Sequence, residues 1–551
     1  MISGNILTVL FSRPRGSGCG GGKILISPAP FNRYLKLQFS RSSGVILHPT
    51  SLPGPYGIGD LGSSAYAFAD FLKASGQHIW QILPLVPTGY GDSPYSGLSA
   101  HAGNTLMISP EKLMADNLLP KDILEHTTRF TADKVNFGKV IEFKKKILKE
   151  AFQRYKKSPD TKLQTEFLSF CQKHAHWLED YALFVALKDS HDGRAWDEWE
   201  PRYAKCKEEA LEKARDELSD EILAEQFYQF LFFKQWHELK RYCNARKISI
   251  IGDMPILVAY DSVDVWKNNH LFKLDKDGKP TVVAGVPPDY FSATGQLWGN
   301  PLYDWEEMAK DNFRWWTKRF ESMLENVDVI RIDHFRGFAG LWEIPAGQKT
   351  AEKGKWVSTP GDDLFKALVE TFDDLPIIVE DLGVITPDVE ELRDKYHFPG
   401  MRILQMAFGG DSCNIDLPHN YIRHSVVYTG GHDHDTVVGW FRSKEGAGST
   451  RGADQIKEER QKCLRYLRST GKEIHWDFIE AAYASVSCLA IVPLQDILGL
   501  GSTARMNLPA SMEGNWNWRY RQEMLTDETT KRLAEITSLY GRDNPLFEEN
   551  L

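Results

Sequence analysis

The chain has 551 residues, a hydrophobic content of 42% and a formal net charge of −9 at pH 7. This acidic balance argues against a nucleic-acid-binding protein, because phosphate backbones are bound by basic surfaces. No run of about 18 apolar residues is present, so the sequence predicts no membrane-spanning helix and no membrane partner. The seven cysteines form no C-x-x-C pair, which indicates free thiols and no metal site.

The start of the chain differs in composition from the rest. No Asp or Glu precedes Asp60, and the stretch is rich in Gly and Ser. Its basic residues are Arg13, Arg15, Lys23, Arg33, Lys36 and Arg41. An acid-poor, basic start is typical of an organellar transit peptide. We therefore expect residues 1–42 to be a disordered transit peptide, and a disordered start without a targeting role is the alternative.

Short apolar runs that end in polar or charged residues recur through the remainder of the chain. They lie at residues 44–48, 78–83, 249–252, 328–332, 377–379, 401–406, 425–429 and 489–494. Continuous apolar strands of this kind are expected in a parallel sheet that helices cover on both faces. The sequence therefore predicts an α/β fold, a (β/α)₈ TIM barrel, as a catalytic domain over residues 43–551.

Two gaps between these strands are too long for simple βα units. Residues 105–247 are predicted to form a mainly helical inserted subdomain between the second and third strands, since 221–246 carries a thick apolar stripe. That aromatic stripe is interpreted as packing rather than as a sugar platform. Residues 254–325 are predicted to be an active-site loop segment, because long loops are usually functional or disordered. Such loop insertions are expected over the C-terminal face of the barrel.

Acidic residues recur where the predicted strands end, which is where TIM barrels place their chemistry. The third strand runs into Asp253, the fourth into Asp333, and the fifth into Glu380, while the seventh leads into H-D-H-D with Asp433. A buried carboxylate is costly unless a role or a partner compensates for its desolvation. These residues are therefore candidates for catalysis.

Two of these acids suit retaining glycosyl transfer. One carboxylate attacks the anomeric carbon while a protonated carboxyl group about 5–5.5 Å away protonates the leaving oxygen. Adjacent strands bring Asp333 and Glu380 together in this way. Arg331 stands two residues before Asp333, so both side chains point to the same side of the strand, and its charge would keep Asp333 ionised. Glu380 would then be the protonated partner, with its pKa raised by burial or by nearby carboxylates.

The residues alone leave three alternatives open. The Arg-x-Asp pattern at Arg331 occurs equally well in a buried ion pair without catalysis. Asp381 could point inward in place of Glu380, because alternation directs only one of the two toward the barrel axis. The H-D-H-D motif could bind a transition metal, although no further His cluster accompanies it.

Longer motifs point to one family. They are G-V-I-L-H-P-T-S-L-P-G-P-Y-G-I-G-D-L-G (44–62), Q-I-L-P-L-V-P-T-G-Y-G-D-S-P-Y-S (81–96), D-M-P-I-L-V-A-Y-D-S-V-D-V-W (253–266), G-V-P-P-D-Y-F-S-A-T-G-Q-L-W-G-N-P-L-Y (285–303), I-R-I-D-H-F-R-G-F (330–338), V-E-D-L-G (379–383), T-G-G-H-D-H-D-T (429–436), G-S-T-A-R-M-N-L-P (501–509) and N-W-N-W-R (515–519). With these motifs the chain resembles the amylomaltases and plant disproportionating enzymes, family 77 of the glycoside hydrolases.

The resemblance implies a 4-α-glucanotransferase that moves α-1,4-glucan segments from a maltooligosaccharide donor to the 4-hydroxyl of glucose or another glucan by retaining double displacement. It places the nucleophile on Asp333, the acid/base on Glu380 and a third, transition-state-supporting carboxylate on Asp433. Further substrate contacts are implied for Arg331, His334, His432, Ser93, Tyr95, Asp253, Trp298 and Asn507. No metal or organic cofactor is implied, and the oligomeric state stays open, a homodimer included. The rival functions are an α-glucan hydrolase of the same clan and an inactive glucan-binding scaffold.

The chain departs from the usual family pattern at a few positions. Gly431 and His434 replace Thr and Asn of the family's G-T-H-D-N-D-T, and His101 and Thr105 replace Phe and Pro of S-A-F-A-G-N-P. Because the acids are intact, we expect activity to survive, with effects on donor or acceptor preference and a pH dependence from His434. The resemblance to compact plastid enzymes, together with residues 1–42, favours a chloroplast or amyloplast stroma.

Overall fold

The structure is a computed structural model, and it describes residues 39–124, 129–158, 160–446, 448–511 and 513–547. Most of the expected transit peptide, residues 1–38, lies outside the described residues. The strands in the described ranges are β1 (Ser42–Ile46), β2 (Ile79–Gln81), β3 (Ser249–Pro255), β4 (Val282–Val286), β5 (Gln296–Pro301), β6 (Val329–Asp333), β7 (Gly340–Pro345), β8 (Lys355–Ser358), β9 (Ile377–Val379), β10 (Gly400–Ile403), β11 (Ser425–Tyr428) and β12 (Leu489–Pro493).

The predicted TIM barrel is confirmed. Eight strands close into a parallel barrel in the order β1-β12-β11-β10-β9-β6-β3-β2, so the barrel strands are arranged around the barrel in the order in which they occur in the chain. These strands are almost entirely buried, as expected when helices cover the outside and side chains fill the centre. The strand β3 is longer than the sequence predicts, because its pairing with β6 continues through Asp253 and beyond.

Helices cover the outside of the barrel and fill the long insertion after β2. In the described ranges they are α1 (Ser63–Ala74), α2 (Pro110–Ala115), α3 (Phe137–Lys157), α4 (Thr161–Ser190), α5 (Pro201–Ala204), α6 (Glu208–Glu217), α7 (Ser219–Asn244), α8 (Val263–Lys267), α9 (Trp305–Ala309), α10 (Arg314–Asn326), α11 (Gly361–Thr371), α12 (Pro387–Lys395), α13 (Val437–Arg442), α14 (Ala453–Leu467), α15 (Ile474–Ala484), α16 (Leu494–Ile497) and α17 (Asp527–Leu539). Within the described residues, no helix is both long and apolar enough to cross a membrane.

The segment between β2 and β3 contains the helices α2 to α7. Tyr155 of α3 stacks on Phe227 of α7 with ring centroids 4.4 Å apart, and Phe167 of α4 lies 5.6 Å from Phe230 of α7. All four rings are buried. The aromatic stripe of α7 therefore packs between helices, as the sequence indicates.

A second, four-stranded antiparallel sheet has the order β5-β4-β7-β8. Its strands β4 and β5 lie inside residues 254–325, where the sequence suggests a loop segment. The residues of β5 are mostly exposed, so no regular apolar pattern marks it as a strand. The strand β4 is a short apolar run, V-V-A-G-V, inside the segment that was expected to be a loop. Side chains from β5 and β8 line the same cavity as residues at the carboxyl ends of β6 and β9, which places this sheet over the catalytic end of the barrel.

Arg542, which follows α17, connects the end of the chain to the barrel through hydrogen bonds. Arg542 is fully buried and donates hydrogen bonds to the main-chain oxygens of Ser42, Tyr483 and Cys488, among others. Replacing Arg542 by Met would leave these carbonyl groups without donors. We expect a loss of about 3 kcal/mol or more in the free energy of unfolding, seen as a lower apparent Tm in calorimetry.

The matched control is Arg521→Met, because the Arg521 side chain is exposed and its ion pair is with the exposed Glu523. We expect this substitution to change the free energy of unfolding by about 0.5 kcal/mol at most. Equal apparent Tm values for the two variants would contradict the structural role given to Arg542.

Candidate active site

The barrel strands bring three carboxyl side chains to one cleft. Asp333 is the last residue of β6, and Glu380 directly follows β9, which pairs with β6. Asp433 lies between β11 and α13. All three line one cavity of about 340 Å³. Parallel strands of a barrel end at the same face, so these residues meet although they are far apart in the chain.

Arg331 lies between carboxylates from two neighbouring strands. Its Nη1 is 2.6 Å from both carboxylate oxygens of Asp253 and 2.9 Å from Oδ1 of Asp333. Burial opposes its charge, but Asp253 and then Asp333 raise the pKa of Arg331 well above its usual value, so the guanidinium stays protonated. The Arg-x-Asp pattern is therefore an ion pair that also includes Asp253, and its positive charge faces Asp333 from inside the barrel.

Glu380 is held by two main-chain N–H groups. The N–H of His334 donates to Oε2 at 2.7 Å, and the N–H of Leu382 donates to Oε1 at 2.9 Å. His334 adopts the left-handed conformation with a φ of 53°, which is uncommon for a residue other than glycine. Burial, followed by the negative charge of Asp333, raises the pKa of Glu380 to about 8. The Glu380 carboxyl group is therefore mostly protonated at neutral pH.

Asp381, the alternative to Glu380, has other partners. Its carboxylate accepts a hydrogen bond from Nη1 of Arg393 at 2.7 Å and from the N–H of Met401 at 2.7 Å. It does not line the cavity that contains Glu380. The alternation along the chain thus directs Glu380 into the cleft and Asp381 toward the neighbouring helix and strand.

Asp433 is fixed by polar neighbours. Nδ2 of Asn507 donates to its Oδ1 at 2.6 Å, Nε2 of His432 lies 3.5 Å from the same oxygen, and Arg505 donates to its main-chain oxygen. Burial opposes ionisation, but His432 and Asn507 outweigh it and hold the pKa of Asp433 below its usual value. Among the described residues, no three His, Cys, Asp or Glu side chains converge as a metal site requires, and this includes the H-D-H-D motif.

Tyr95 connects the residues behind the cleft with those that line it. Its ring stacks on His432 with centroids 4.9 Å apart, and its hydroxyl donates to Oδ2 of Asp253 at 2.8 Å. The main-chain N–H of Tyr95 donates to Oγ of Ser93. Asp253 therefore does not line the cleft but is a buried hydrogen-bond acceptor for both Tyr95 and Arg331.

The cleft has two halves that meet at Asp333 and Asp433. One half, with a volume of about 340 Å³, contains Glu380, and the other, of about 310 Å³, contains Tyr95. Trp298 borders both halves. The structure brings together, at or directly behind this cleft, every residue for which the sequence predicts a role: Asp333, Glu380, Asp433, Arg331, His334, His432, Ser93, Tyr95, Asp253, Trp298 and Asn507.

The comparison with known sequences identifies the family. A sequence model of a family described as 4-alpha-glucanotransferase matches residues 47–526. The chain belongs to the 4-alpha-glucanotransferase family. A 4-alpha-glucanotransferase from Synechocystis sp. is 50% identical over 506 residues, which cover 91% of this chain and 98% of that protein. A potato protein named 4-alpha-glucanotransferase, chloroplastic/amyloplastic, is 44% identical over 91% of this chain and 86% of its own length.

Solved structures agree with this assignment. The amylomaltase from Streptococcus agalactiae, determined in complex with acarbose, matches with a TM-score of 0.86 and 40% identity, covering 92% of this chain and all of that one. The barrel of this 4-alpha-glucanotransferase, with its helical insertion and second sheet, is thus an amylomaltase fold.

Sequence reasoning missed several cleft residues of this 4-alpha-glucanotransferase. Gln296, Arg336 and Trp356 line the half that contains Glu380. Arg336 lies within the motif at 330–338, three residues after Asp333, and this position could have identified it as a cleft residue. Trp356 lies on β8, whose sequence K-W-V-S is too short and too mixed to identify a strand or its direction.

The two departures near Asp433 contact each other in this 4-alpha-glucanotransferase. The N–H of Gly431 donates to Nδ1 of His434 at 3.2 Å, and the His434 ring meets Phe291 edge to face with centroids 5.8 Å apart. Burial lowers the pKa of His434 to about 4. The imidazole is therefore uncharged at neutral pH, and a pH dependence from His434 is expected only in acid.

Proposed function

We propose that this 4-alpha-glucanotransferase transfers α-1,4-glucan segments from maltooligosaccharide donors to the 4-hydroxyl of glucose or another glucan, with retention of configuration. The observation that carries the proposal is that two carboxyl groups in one cleft have different hydrogen-bond partners. Asp333 accepts a hydrogen bond from the charged Arg331, whereas the pKa of Glu380 is raised to about 8. Retaining transfer requires one ionised nucleophile and one protonated acid.

In the first step, a carboxylate oxygen of Asp333 attacks C1 of the donor glucose unit. The bond between C1 and the glycosidic oxygen breaks, and Glu380 gives its proton to that oxygen. The leaving glucan departs with a free 4-hydroxyl group. A β-linked glycosyl ester to Asp333 and an ionised Glu380 remain.

In the second step, Glu380 takes the proton from the 4-hydroxyl of an acceptor while that oxygen attacks C1. The ester bond to Asp333 breaks, a new α-1,4 bond forms, and both carboxyl groups return to their starting states. Because the acid and the base are the same residue, a pKa near neutrality suits Glu380 for both steps.

Asp433 supports the positive charge that develops at the anomeric carbon. Its pKa is lowered, so it is ionised, and Asn507 and His432 hold the carboxylate in place. A fixed negative charge in a partly desolvated cleft stabilises an oxocarbenium-like transition state more than it stabilises the neutral substrate. We assign hydroxyl binding to His432, to Asn507 and to Tyr95, which stacks on His432.

The segment between β4 and β5 favours transfer over hydrolysis by keeping water from the ester. The main-chain oxygen of Tyr290 accepts a hydrogen bond from the N–H of Thr450, and Phe291 contacts His434, so the segment is attached to the wall around Asp433. Trp298 meets His334 edge to face with centroids 4.9 Å apart. A covered ester reacts with an acceptor sugar that fills the cleft more readily than with water.

Incubation with maltotriose tests the proposed activity. We expect glucose together with a ladder of longer maltooligosaccharides, detected by chromatography or mass spectrometry. Products limited to glucose and maltose would identify a hydrolase instead. No conversion at all would indicate an inactive glucan-binding scaffold.

We further propose that the protein acts in a plastid. The support is the acid-free, basic composition of residues 1–42 and the chloroplastic or amyloplastic name of the potato relative, although a bacterial relative is at least as similar. Residues 1–42 fused to a fluorescent protein are expected to direct it into plastids of leaf cells. As a control, replacing the basic residues of this stretch by Asp should abolish import, and cytosolic fluorescence of the unaltered fusion would contradict the proposal.

A further inference from the structure

The cleft half that contains Glu380 extends to an aromatic ring for which no role has been assigned. Trp356 belongs to β8, is 36% exposed and lines the cavity together with Asp333, Glu380 and Arg336. Large aromatic side chains in the described part of the chain are mostly buried, so an exposed ring inside a cleft is informative. Flat rings of this kind stack on the apolar faces of sugars.

The Trp356 ring is held in one orientation by its neighbours. The guanidinium carbon of Arg336 lies 3.6 Å from the ring centroid, and Trp342 of β7 meets the ring edge to face with centroids 5.3 Å apart. The antiparallel pairing of β7 with β8 fixes the strand that carries it. The ring is therefore a preformed surface, and little side-chain entropy is lost when a ligand stacks on it.

Arg336 has an N–H donor without a hydrogen-bond acceptor among the described residues. It is 5% exposed, and its Nη1 donates to Oγ1 of Thr386 at 3.3 Å. Its buried Nε has no hydrogen-bond partner, and in the described part of the chain no carboxylate lies within ion-pair distance of it. A guanidinium offers five N–H donors, and a buried donor without an acceptor costs about 1–3 kcal/mol. Arg336 therefore suits a ligand rich in oxygen acceptors.

We propose that Trp356 and Arg336 form a subsite for a glucose unit of the acceptor chain, next to the unit whose 4-hydroxyl reacts. The inference rests on the proposed function, because Glu380 receives the acceptor proton and this pair lies in the half of the cleft that contains Glu380. Trp356 stacks on the pyranose ring with the face that Arg336 does not cover, and Arg336 donates to hydroxyl groups of the acceptor chain. The same cavity contains Asp333 and Glu380, so a unit bound by this pair adjoins the catalytic acids.

The effect of removing the subsite on the acceptor KM depends on the length of the acceptor. With α-maltosyl fluoride as the donor, the leaving fluoride does not occupy the subsite, so the acceptor alone reports on it. For Trp356→Ala we expect the KM for maltose and maltotriose as acceptors to rise about tenfold, with the KM for glucose changed less than twofold. Trp356→Phe should keep most of the affinity, because a flat ring remains. Arg336→Lys should also raise the KM for maltose, because the fork of donors is lost.

The control on the same strand is Lys355→Ala, because Lys355 is exposed and does not line the cavity. The apparent Tm of each variant shows whether it is folded. If Trp356→Ala does not fold, the KM values of Arg336→Lys for glucose and maltose provide the test. Equal rises in KM for glucose and maltotriose, or no change in either, would overturn the subsite. A wild-type protein that forms no ladder from maltotriose would instead refute the proposed function.

Discussion

Replacing Asp333 by asparagine is expected to lower the rate of transfer from maltotriose by about 10⁴-fold or more. The amide has nearly the shape of the carboxylate but cannot form the glycosyl ester. It also leaves the charge of Arg331 balanced by Asp253 alone, which keeps the fold intact because that pair is the closer one. Initial rates of glucose release measure the loss. Asp363→Asn on the exposed first turn of α11 is the matched control and should retain full activity.

The role of Asp333 can be separated from a merely structural one by chemical rescue. In Asp333→Ala, azide can enter the space left by the carboxylate and displace fluoride directly from α-maltosyl fluoride, giving β-maltosyl azide. Recovery of this inverted product identifies the missing group as the nucleophile. An Asp333→Asn protein with the wild-type rate, or α-maltosyl azide from Asp333→Ala, would contradict the assignment.

Replacing Glu380 by alanine is expected to reduce transfer from maltotriose by about 10²–10⁴-fold. A sugar leaving group needs the proton of Glu380, whereas fluoride does not. With α-maltosyl fluoride, the first step should therefore persist and the ester on Asp333 should accumulate. Azide then attacks that ester and gives α-maltosyl azide, the opposite anomer from the product expected with Asp333→Ala. Equal losses with maltotriose and with the fluoride donor would argue against a general acid at Glu380.

The pH profile of the wild-type enzyme gives an independent test of Glu380. Its raised pKa keeps the group protonated below about pH 8, so the first step is supported there. As pH rises through about 8 the proton is lost, and kcat/KM for maltotriose should fall about tenfold per pH unit above it. With α-maltosyl fluoride, this alkaline fall in the first step should be absent. A fall that begins near pH 5 would contradict the burial of Glu380.

Local patterns identified the barrel because each strand is a continuous apolar run. The predicted strand at 377–379 coincides with β9, and the predicted 328–332 is one residue away from β6. The strands β5 and β8 of the second sheet escaped because their residues are largely exposed and lie in short, mixed segments. Such strands are held mainly by backbone pairing with a neighbouring strand, and pairing leaves no periodic signal in the sequence.

The sequence by itself determined the barrel, and it indicated that Asp333 and Glu380 follow adjacent strands. Alternation along β6 also put Arg331 on the side of Asp333. Only the tertiary structure decided which acid after β9 enters the cleft. Asp381 accepts hydrogen bonds from Arg393 and from the N–H of Met401, which hold it outside the cleft.

Tertiary structure also brought together partners that are distant in the chain, such as Tyr95 with Asp253 and Arg336 with Trp356. The physical reason is that strand formation depends on neighbours along the chain. Protonation state, ring orientation and unpaired donors depend instead on which side chains packing brings within a few ångströms.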